Sequence, residues 1–202
     1  MSFDLFLERI HRQRVLPVLR LGSADEALAA AQSLLRQRLR VIELTATTPD
    51  WMNVLRKLQT AVPDDALVGL GSVVDEATAR AAVDAGASFL VSPWPSPMVR
   101  AVARDAGMPF LEGAFSPGEF AAVAERGPVK LFPAHVGGPQ MLRSLLALLP
   151  DAVVVPTGGI SLHDVTAWLS AGAHAVGVGS DLLRPGAAEV LRPLLEDPEV
   201  LP

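Results

Sequence analysis

Residues 15–45 read "VLPVLRLGSADEALAAAQSLLRQRLRVIELT" and contain two apolar runs separated by a segment of helical period. The runs Leu16–Leu19 and Val41–Leu44 are short and continuous, as buried strands are. Between them, alanine and leucine recur at helical spacing, and Ser23 stands before two acidic residues as a helix N-cap does. This order predicts two parallel strands joined by a crossover helix, because continuous apolar strands that alternate with helices are typical of parallel sheets.

The same alternation continues along the rest of the chain. Six further strand-like runs follow, at Ala66–Leu70, Ser88–Val91, Pro109–Leu111, Pro128–Phe132, Ala152–Val155 and Ala173–Val178. Segments of helical period separate these runs, and Gly86, Gly107 and Gly172 mark the ends of helices. Eight such repeats predict a (β/α)8 barrel, since eight is the number of strands that closes a parallel sheet of this kind.

An open doubly wound sheet is the alternative to a barrel. Such a sheet usually has fewer strands, and a dinucleotide-binding one carries a G-x-G-x-x-G turn after its first strand, where this chain has "RLGSAD". We therefore expect residues 1–202 to form a single (β/α)8 barrel domain, with a helix over Phe3–Arg12 that caps its bottom. In such a barrel, catalytic residues lie at the carboxyl ends of the strands.

Composition excludes several classes of protein. The net charge of −5 argues against nucleic-acid binding, and the absence of cysteine excludes disulfides, thiol catalysis and thiolate metal sites. No apolar run approaches the ~18 residues of a membrane span. Charged residues interrupt the amino-terminal stretch "MSFDLFLERIHRQR", unlike the apolar core of a secretory signal. We expect a soluble cytoplasmic protein that binds neither nucleic acid nor membranes.

Lys130 lies within the apolar run of "GPVKLFPAHVGGP", residues 127–139, and is one of only two lysines in the chain. A buried lysine is costly unless it is paired or uncharged. An uncharged amine attacks carbonyl groups, which a guanidinium does not. Because Val129 and Leu131 share the opposite strand face, we expect Lys130 to point into the mouth of the barrel. The alternative is a lysine that extends to solvent at a strand edge or forms a surface salt bridge.

Two further charged residues interrupt predicted strands. Glu43 shares a strand face with Val41 and Thr45, and an inward Glu43 near Lys130 is a ready general base. A hydrogen-bonded core carboxylate and an outward-facing register are its alternatives. Arg20 ends the first strand, where an inward arginine binds a carboxylate or a phosphate. The alternative for Arg20 is a solvated arginine in the turn.

Glycine-rich segments follow the seventh and eighth predicted strands. They are "PTGGIS", with Thr157, Gly158 and Gly159, and "GVGSDL", with Gly177, Gly179 and Ser180. Loops at these places form the usual phosphate site of a barrel, since glycine lets backbone N–H groups approach an anion. Tight strand-to-helix turns that use glycine in any case are the alternative. The four histidines fall in separate elements without ligand spacing, so we expect no metal site.

Six motifs, taken in order, are similar to those of a known family. "VIELT", "VGLGSV", "FLVSP", "VKLFPA", "VPTGGIS" and "GVGSDLL" resemble the motifs of the 2-keto-3-deoxy-6-phosphogluconate aldolases, over about Leu16–Leu183. This class I, Schiff-base family also cleaves 4-hydroxy-2-oxoglutarate and includes a phosphogalactonate branch. The resemblance implies a homotrimer of (β/α)8 barrels that needs no metal or other cofactor. It also implies that the partners are a small phosphorylated keto acid and pyruvate.

The resemblance further implies roles for single residues. Lys130 would form the Schiff base, and Glu43 would transfer protons. Ser72 matches the position where the family has a hydroxyl, usually that of threonine, near the pyruvate moiety. The other expected substrate-binding residues are Arg20, Thr47, Phe132, Thr157, Gly158, Gly159, Gly179 and Ser180. The glycines and the serine of this set match the phosphate loops of the family.

One departure from the family concerns the substrate carboxylate. Gluconate-type members carry an arginine four residues after the catalytic glutamate, where this chain has Thr47. The galactonate branch lacks that arginine and has one at the end of the first strand, as Arg20 is here, and "GGPQ" and "TPDW" also resemble that branch. Thr157, in contrast, resembles the gluconate type. The resemblance therefore implies cleavage of 2-keto-3-deoxy-6-phosphogluconate to pyruvate and glyceraldehyde 3-phosphate, with the galactonate epimer as the alternative.

Two more distant functions remain open on the same barrel. One is a phosphosugar isomerase or epimerase, in which Lys130 is only an electrostatic clamp. The other is a non-catalytic barrel that binds phosphorylated metabolites, which Thr47 in place of the expected arginine would allow.

Overall fold

The computed structural model describes residues 3–196, which form an α/β fold around a parallel sheet. Its seven strands are β1 (Val15–Leu19), β2 (Val41–Thr45), β3 (Leu67–Gly71), β4 (Leu90–Val91), β5 (Phe110–Ala114), β6 (Val129–Leu131) and β7 (Val176–Val178). Their order across the sheet is β6-β5-β4-β3-β2-β1-β7, and all neighbours are parallel. The predicted α/β class is confirmed. Residues 1–2 and 197–202 of the predicted domain lie outside the described part of the chain.

Nine α-helices accompany the strands within residues 3–196. They are α1 (Phe3–Gln13), α2 (Ala24–Arg36), α3 (Trp51–Ala61), α4 (Glu76–Asp84), α5 (Pro97–Asp105), α6 (Pro117–Ala124), α7 (Gly138–Leu148), α8 (Val165–Leu169) and α9 (Ala187–Glu196). Short 3₁₀ turns occur at Ala134–Val136, Leu162–Asp164 and Ser180–Leu183. The helix predicted over Phe3–Arg12 is confirmed as α1. Within the described range, no helix combines the length and the apolar character that crossing a bilayer requires.

The run predicted as the seventh strand, Ala152–Val155, does not form a regular strand. Val154 of this run forms an isolated bridge to Val129 of β6, and Thr157, two residues after the run, forms another to Gly177 of β7. Val155 N donates to Val129 O at 2.8 Å on the β6 side, and Gly177 N donates to Pro156 O at 2.8 Å on the β7 side. Pro156 has no N–H to donate, so a hydrogen bond that a continuous ladder would need is missing here. The predicted set of eight regular strands is therefore corrected to seven in the described residues.

Helices α2 and α4 begin at residues with capping side chains. Ser23 Oγ accepts a backbone N–H from the first turn of α2 at 3.2 Å. The Asp75 carboxylate accepts the N–H of Thr78 at 2.7 Å at the start of α4, and this hydrogen bond lowers the pKa of Asp75. Both caps satisfy donors that the first helical turn leaves unpaired.

The sheet has an apolar cluster on each side. The larger cluster lies between the strands and the surrounding helices. The smaller cluster consists of Phe6, Ile10, Leu16, Val41, Leu67, Phe89, Val91, Leu111, Val155 and Ala175. Phe6 and Ile10 belong to α1, so this helix packs against the same side of the sheet as the smaller cluster. The ring centroids of Phe6 and Phe89 lie 4.7 Å apart.

The alternation of side chains along the strands decides where the charged residues point. In β2, Val41 belongs to the smaller cluster, and Glu43, two residues on, points to the same side. In β6, Val129 and Leu131 belong to the larger cluster, so Lys130 points away from them and toward the side of Glu43. The fold thus directs both charged side chains to one side of the sheet.

Candidate active site

Lys130 and Glu43 form a buried ion pair. Lys130 Nζ lies 3.0 Å from Glu43 Oε1 and 3.3 Å from Oε2, and the two side chains are 5% and 0% exposed. Three strands separate β6 from β2 in the sheet order. A flat sheet would hold these two strands about 19 Å apart, since neighbouring strands are spaced by 4.7–4.9 Å. The sheet therefore curls, and the two side chains meet across its concave side.

Gly71 leaves room for the Glu43 carboxylate, and Gly113 leaves room for the loop after β4. A Cβ at Gly71 would lie 1.9 Å from Glu43 Oε1, so a side chain there would displace the carboxylate. Gly113 pairs with Lys130 in the register of β5 and β6, and a Cβ at Gly113 would lie 2.2 Å from the backbone carbonyl carbon of Pro93. Because glycine has no Cβ, Glu43 can occupy its observed position, and the loop after β4 can approach β5 closely.

Phe132 lies between Lys130 and the first glycine-rich segment. Lys130 Nζ is 5.7 Å from the centroid of the Phe132 ring. The same ring packs on Gly158, where a Cβ would lie 2.9 Å from it. Ala134 N donates to Thr157 O at 2.8 Å, which ties the loop after β6 to this segment.

The first glycine-rich segment has a backbone course that needs glycine. Gly158 and Gly159 adopt φ angles of +98° and +68°, in the left-handed region that glycine reaches without strain. Thr157 is buried, and its Oγ1 packs against Gly177. A Cβ at Gly177 would lie 2.2 Å from this oxygen. His135 N donates to Gly158 O at 3.1 Å, so the turn is held from the neighbouring loop as well.

The second glycine-rich segment is tied to the first by a carboxylate. Gly179 is half-buried and the exposed Ser180 begins a 3₁₀ turn. The Asp181 carboxylate in this turn accepts the N–H of Leu162 at 2.7 Å and the Ser161 hydroxyl at 3.3 Å. Asp181 is absent from the site residues that the sequence predicts, although it stands inside the quoted "GVGSDL". Its hydrogen bonds bring the two segments to one edge of the sheet.

Arg20 and Ser72 lie together, whereas Thr47 has a different partner. Arg20 Nη2 donates to Ser72 Oγ at 3.1 Å, and Ser72 adopts a φ of +58° directly after β3. Thr47 is exposed, and its hydroxyl lies 3.0 Å from that of Thr45. Within residues 3–196, no hydrogen bond joins Arg20, Ser72 or Thr47 to Lys130.

A second buried carboxylate, Glu112 on β5, is also absent from the residues that the sequence predicts. It is 1% exposed, accepts the N–H of Ser96 at 2.7 Å and pairs with Arg100. Burial lowers the pKa of the Arg100 guanidinium, and the nearby charge of Arg126 lowers it further. Because Ser96 is the N-cap of α5, Glu112 fixes the loop between β4 and α5. The sequence signal that could have identified Glu112 is a glutamate inside the apolar run "PFLEGAF", the same kind of signal that identified Glu43.

The site combines an amine, a carboxylate, hydroxyl groups and glycine turns. A primary amine in contact with a carboxylate supplies a nucleophile for carbonyl carbons and a group that carries protons. Among residues 3–196, no three His, Cys, Asp or Glu side chains lie close enough together to hold a metal ion. The chemistry that this arrangement supports is attack by Lys130 on a ketone.

Comparison with known proteins bears on this chemistry. A family model for KDPG and KHG aldolase matches residues 7–190, which include all seven strands and both members of the ion pair. The chain belongs to the KDPG and KHG aldolase family. The resemblance of the six motifs is thereby confirmed, and the protein is an aldolase, which is a lyase.

Relatives within the KDPG and KHG aldolase family include enzymes for both sugar epimers. The chain is 34% identical over 160 residues to 2-dehydro-3-deoxy-phosphogluconate aldolase of Pseudomonas aeruginosa, across 78% of this chain and 72% of that protein. It is 32% identical over 178 residues to a probable 2-dehydro-3-deoxy-6-phosphogalactonate aldolase of Rhizobium meliloti, across 85% and 82%. A KDPG aldolase structure from Legionella pneumophila, with pyruvate captured as a covalent carbinolamine, matches with a TM-score of 0.81 and 26% identity. That match covers 94% of this chain and 95% of the other.

Proposed function

We propose that the protein is a class I aldolase that cleaves 2-keto-3-deoxy-6-phosphogluconate to pyruvate and glyceraldehyde 3-phosphate, and that it also accepts 4-hydroxy-2-oxoglutarate. The observation that carries this proposal is the buried contact of 3.0 Å between Lys130 Nζ and Glu43 Oε1. Schiff-base chemistry needs a nucleophilic amine and a proton carrier within reach of each other. The carbinolamine of pyruvate in the Legionella pneumophila relative supports the same chemistry here.

The first half of the reaction forms the Schiff base. A proton passes from Lys130 to Glu43 along their hydrogen bond, and the neutral amine attacks the C2 ketone carbon to give a carbinolamine. Glu43, now a carboxylic acid, protonates the departing hydroxyl, so water leaves and a protonated Schiff base remains. Because both side chains are buried, solvent does not compete for the amine.

The second half breaks the carbon–carbon bond. The Schiff base draws the electrons of the C3–C4 bond toward its nitrogen, while Glu43, again a carboxylate, takes the C4 hydroxyl proton. Glyceraldehyde 3-phosphate leaves, and an enamine remains on Lys130. Glu43 returns the proton to C3, and hydrolysis then releases pyruvate and restores the amine. General acid–base assistance of this kind typically contributes ~10²–10⁴ in rate.

The remaining site residues hold the two charged ends of the substrate. Arg20 and Ser72 bind the carboxylate, a role supported by their contact of 3.1 Å. Phe132 forms an apolar wall beside the Schiff base, and Thr47 lines the outer rim. The residues that bind the phosphate are Thr157, Gly158, Gly159, Gly179 and Ser180. The left-handed turn at Gly158 and Gly159 supports this assignment, since such turns present backbone N–H groups to anions.

The curled sheet, in our proposal, closes as a (β/α)8 barrel that forms a single domain over residues 1–202. Support comes from the segment around Val155, which hydrogen-bonds to β6 on one side and to β7 on the other. We further infer that α1 caps the bottom of this barrel. The burial of Phe6 and Ile10 against the smaller apolar cluster supports this role.

The assembly is, in our proposal, a cytoplasmic homotrimer whose partners are small molecules. The family resemblance supports the trimer, and so do Trp94 and Met98, which are both 55% exposed and lie close together in the chain. The absence of cysteine fits a reducing compartment. No cofactor is needed, because Lys130 and Glu43 supply both the nucleophile and the proton carrier.

The galactonate epimer is the second candidate substrate. The position of Arg20 at the end of the first strand favours it, because the galactonate branch has an arginine there. Pyruvate release from the two C4-epimeric phosphorylated keto acids distinguishes the candidates. We expect both to be cleaved, with the higher kcat/KM for the gluconate. A higher kcat/KM for the galactonate would favour the second candidate, and no release of pyruvate from either would overturn both.

A further inference from the structure

A cleft of about 610 Å³ lies at the amino-terminal end of the sheet. Its lining includes Arg40, directly before β2, and Asp65, two residues before β3. Arg20 and Ser72 directly follow β1 and β3, so they lie at the opposite, carboxyl end of the sheet. The cleft is therefore separate from the rim that carries Lys130.

Arginines dominate the lining of this cleft. They are Arg9, Arg12, Arg36, Arg38, Arg40 and Arg192. Asp65 is the single acidic residue of the lining, which gives the lining a net charge of +5 in a chain whose net charge is −5. This contrast favours a small anion that fits inside the cleft over a long polyanion, which the rest of the surface would repel.

Part of the lining is held in place before any ligand binds. Arg40 Nε lies 3.2 Å from Asp65 Oδ2, and Arg40 Nη1 donates to Leu35 O at 2.9 Å. Arg9 donates to the backbone oxygen of Asp65. The Asp65 carboxylate is thus already engaged by Arg40 and pairs with no other arginine of the described lining.

Arg36 and Arg38 belong to the uncompensated charge of the lining, whereas Arg12 pairs with Glu8 at 2.6 Å. Neither forms an ion pair with any carboxylate among the side chains that the structure describes. Both stand at the end of α2, separated by one residue, and both line the cleft. Their guanidinium groups retain N–H donors for a ligand.

We propose that this cleft binds a small organic anion that carries two or more adjacent phosphate groups, of the size of a nucleoside triphosphate. Guanidinium groups match phosphate oxygens in pairs, and several arginines together match several phosphates. The volume of about 610 Å³ lies within the range of small-molecule pockets, about 300–1,000 Å³. The half-buried Leu195 of α9, with the buried Leu191 behind it, offers an apolar wall to the part of the ligand without phosphate.

Isothermal titration calorimetry of the full chain with ATP, and separately with inorganic tripolyphosphate, tests this proposal. We expect both anions to bind, with ATP tighter because its nucleoside contacts the leucine wall. The double substitution Arg36→Gln and Arg38→Gln should raise both Kd values by about tenfold or more, since charge-assisted hydrogen bonds are lost. The matched control, Arg104→Gln with Arg143→Gln, removes two exposed arginines outside the cleft and should leave Kd unchanged.

Other results would overturn the proposal. Absence of binding, or equal weakening in both double variants, would mean that the arginines act only as general surface charge. Loss of binding in a Lys130→Arg variant would place the anion at the rim instead. Binding that appears only after removal of residues 197–202, which include Asp197 and Glu199, would mean that carboxylates of the chain itself fill the cleft.

Discussion

Lys130 and Glu43 are 87 positions apart in the chain, yet Lys130 Nζ hydrogen-bonds Glu43 Oε1 at 3.0 Å. Within residues 3–196, this is the ion pair with the least exposed pair of side chains. Taking two charges out of water costs several kcal/mol per ion, so such a pair is weak evidence for stability. Its presence at the concave side of the sheet fits the reaction proposed for it.

Replacement of Glu43 by glutamine should slow turnover about 10²- to 10⁴-fold, because the amide keeps the shape but cannot carry a proton. Pyruvate release under saturating substrate measures this effect, and circular dichroism checks the fold. Glu125→Gln, at an exposed helix end, is the matched control and should retain full activity. Activity of Glu43→Gln close to that of the unmodified protein would remove Glu43 from the mechanism.

Substitution of Gly71 by alanine should displace the Glu43 carboxylate from Lys130, since the new Cβ would lie 1.9 Å from Glu43 Oε1. We expect kcat to fall at least about tenfold, because a misplaced acid–base group loses much of its contribution. Gly118→Ala is the control, as a Cβ there has no neighbour within 4 Å. Equal kcat values for the two variants, both folded, would contradict this role of Gly71.

Removal of the Asp181 carboxylate should weaken phosphate binding. Asp181→Ala loses the hydrogen bonds to Leu162 N and Ser161 Oγ that tie the glycine-rich segments together. We expect KM for the phosphorylated substrate to rise about tenfold with kcat little changed, and Asp181→Asn to restore part of the loss. Cleavage of unphosphorylated 4-hydroxy-2-oxoglutarate serves as the control reaction. A proportional loss for both substrates would indicate a general structural defect instead.

Acid should destabilise the packing of α1 through His174. His174 Nε2 lies 2.9 Å from Leu7 O, and its ring stacks on His11. Burial lowers the pKa of His174 below its usual 6.5. The hydrogen bond to Leu7 raises this pKa and the charge of His11 lowers it, and the net shift is downward. Below pH 6.5 the unfolded chain then binds a proton that the folded protein resists, so stability decreases as the pH falls.

Thermal unfolding at neutral pH and at about pH 5.5 measures this effect. We expect Tm to fall on acidification, and to fall less in His174→Gln, which keeps a polar side chain without a titrating ring. His163→Gln, near the start of α8, is the control and should behave as the unmodified protein. An identical acid-induced decrease in Tm for both variants would exclude His174 as the cause.

The direction of Lys130 and Glu43 could be predicted from the sequence, because side chains alternate along a strand with a period of two. Their separation of 3.0 Å could not, since it depends on how far the sheet curls between β2 and β6. The same limit applies to Gly71. Gly71 leaves space for the Glu43 side chain on the neighbouring strand, and only the packed structure shows this contact.

The sequence did not predict site residues whose roles depend on hydrogen-bond partners in other elements. Asp181 bonds to a turn 19 positions earlier, and Glu112 accepts the N–H of Ser96, 16 positions earlier. No local pattern marks such pairings. For the expected seventh strand, the apolar run could be recognised in the sequence. The effect of Pro156 could not, because it depends on which neighbouring strand its nitrogen faces.

Borohydride trapping decides whether Lys130 is the Schiff-base residue. The protein is incubated with pyruvate, reduced, digested and analysed by mass spectrometry, with Lys57, the second lysine of the chain, as an internal control. We expect one reduced pyruvate per chain, attached to the peptide that contains Lys130, and neither adduct nor turnover in a folded Lys130→Arg variant. An unmodified Lys130 with intact activity, or a Lys130→Arg variant that still cleaves substrate, would show that the aldolase does not use this amine.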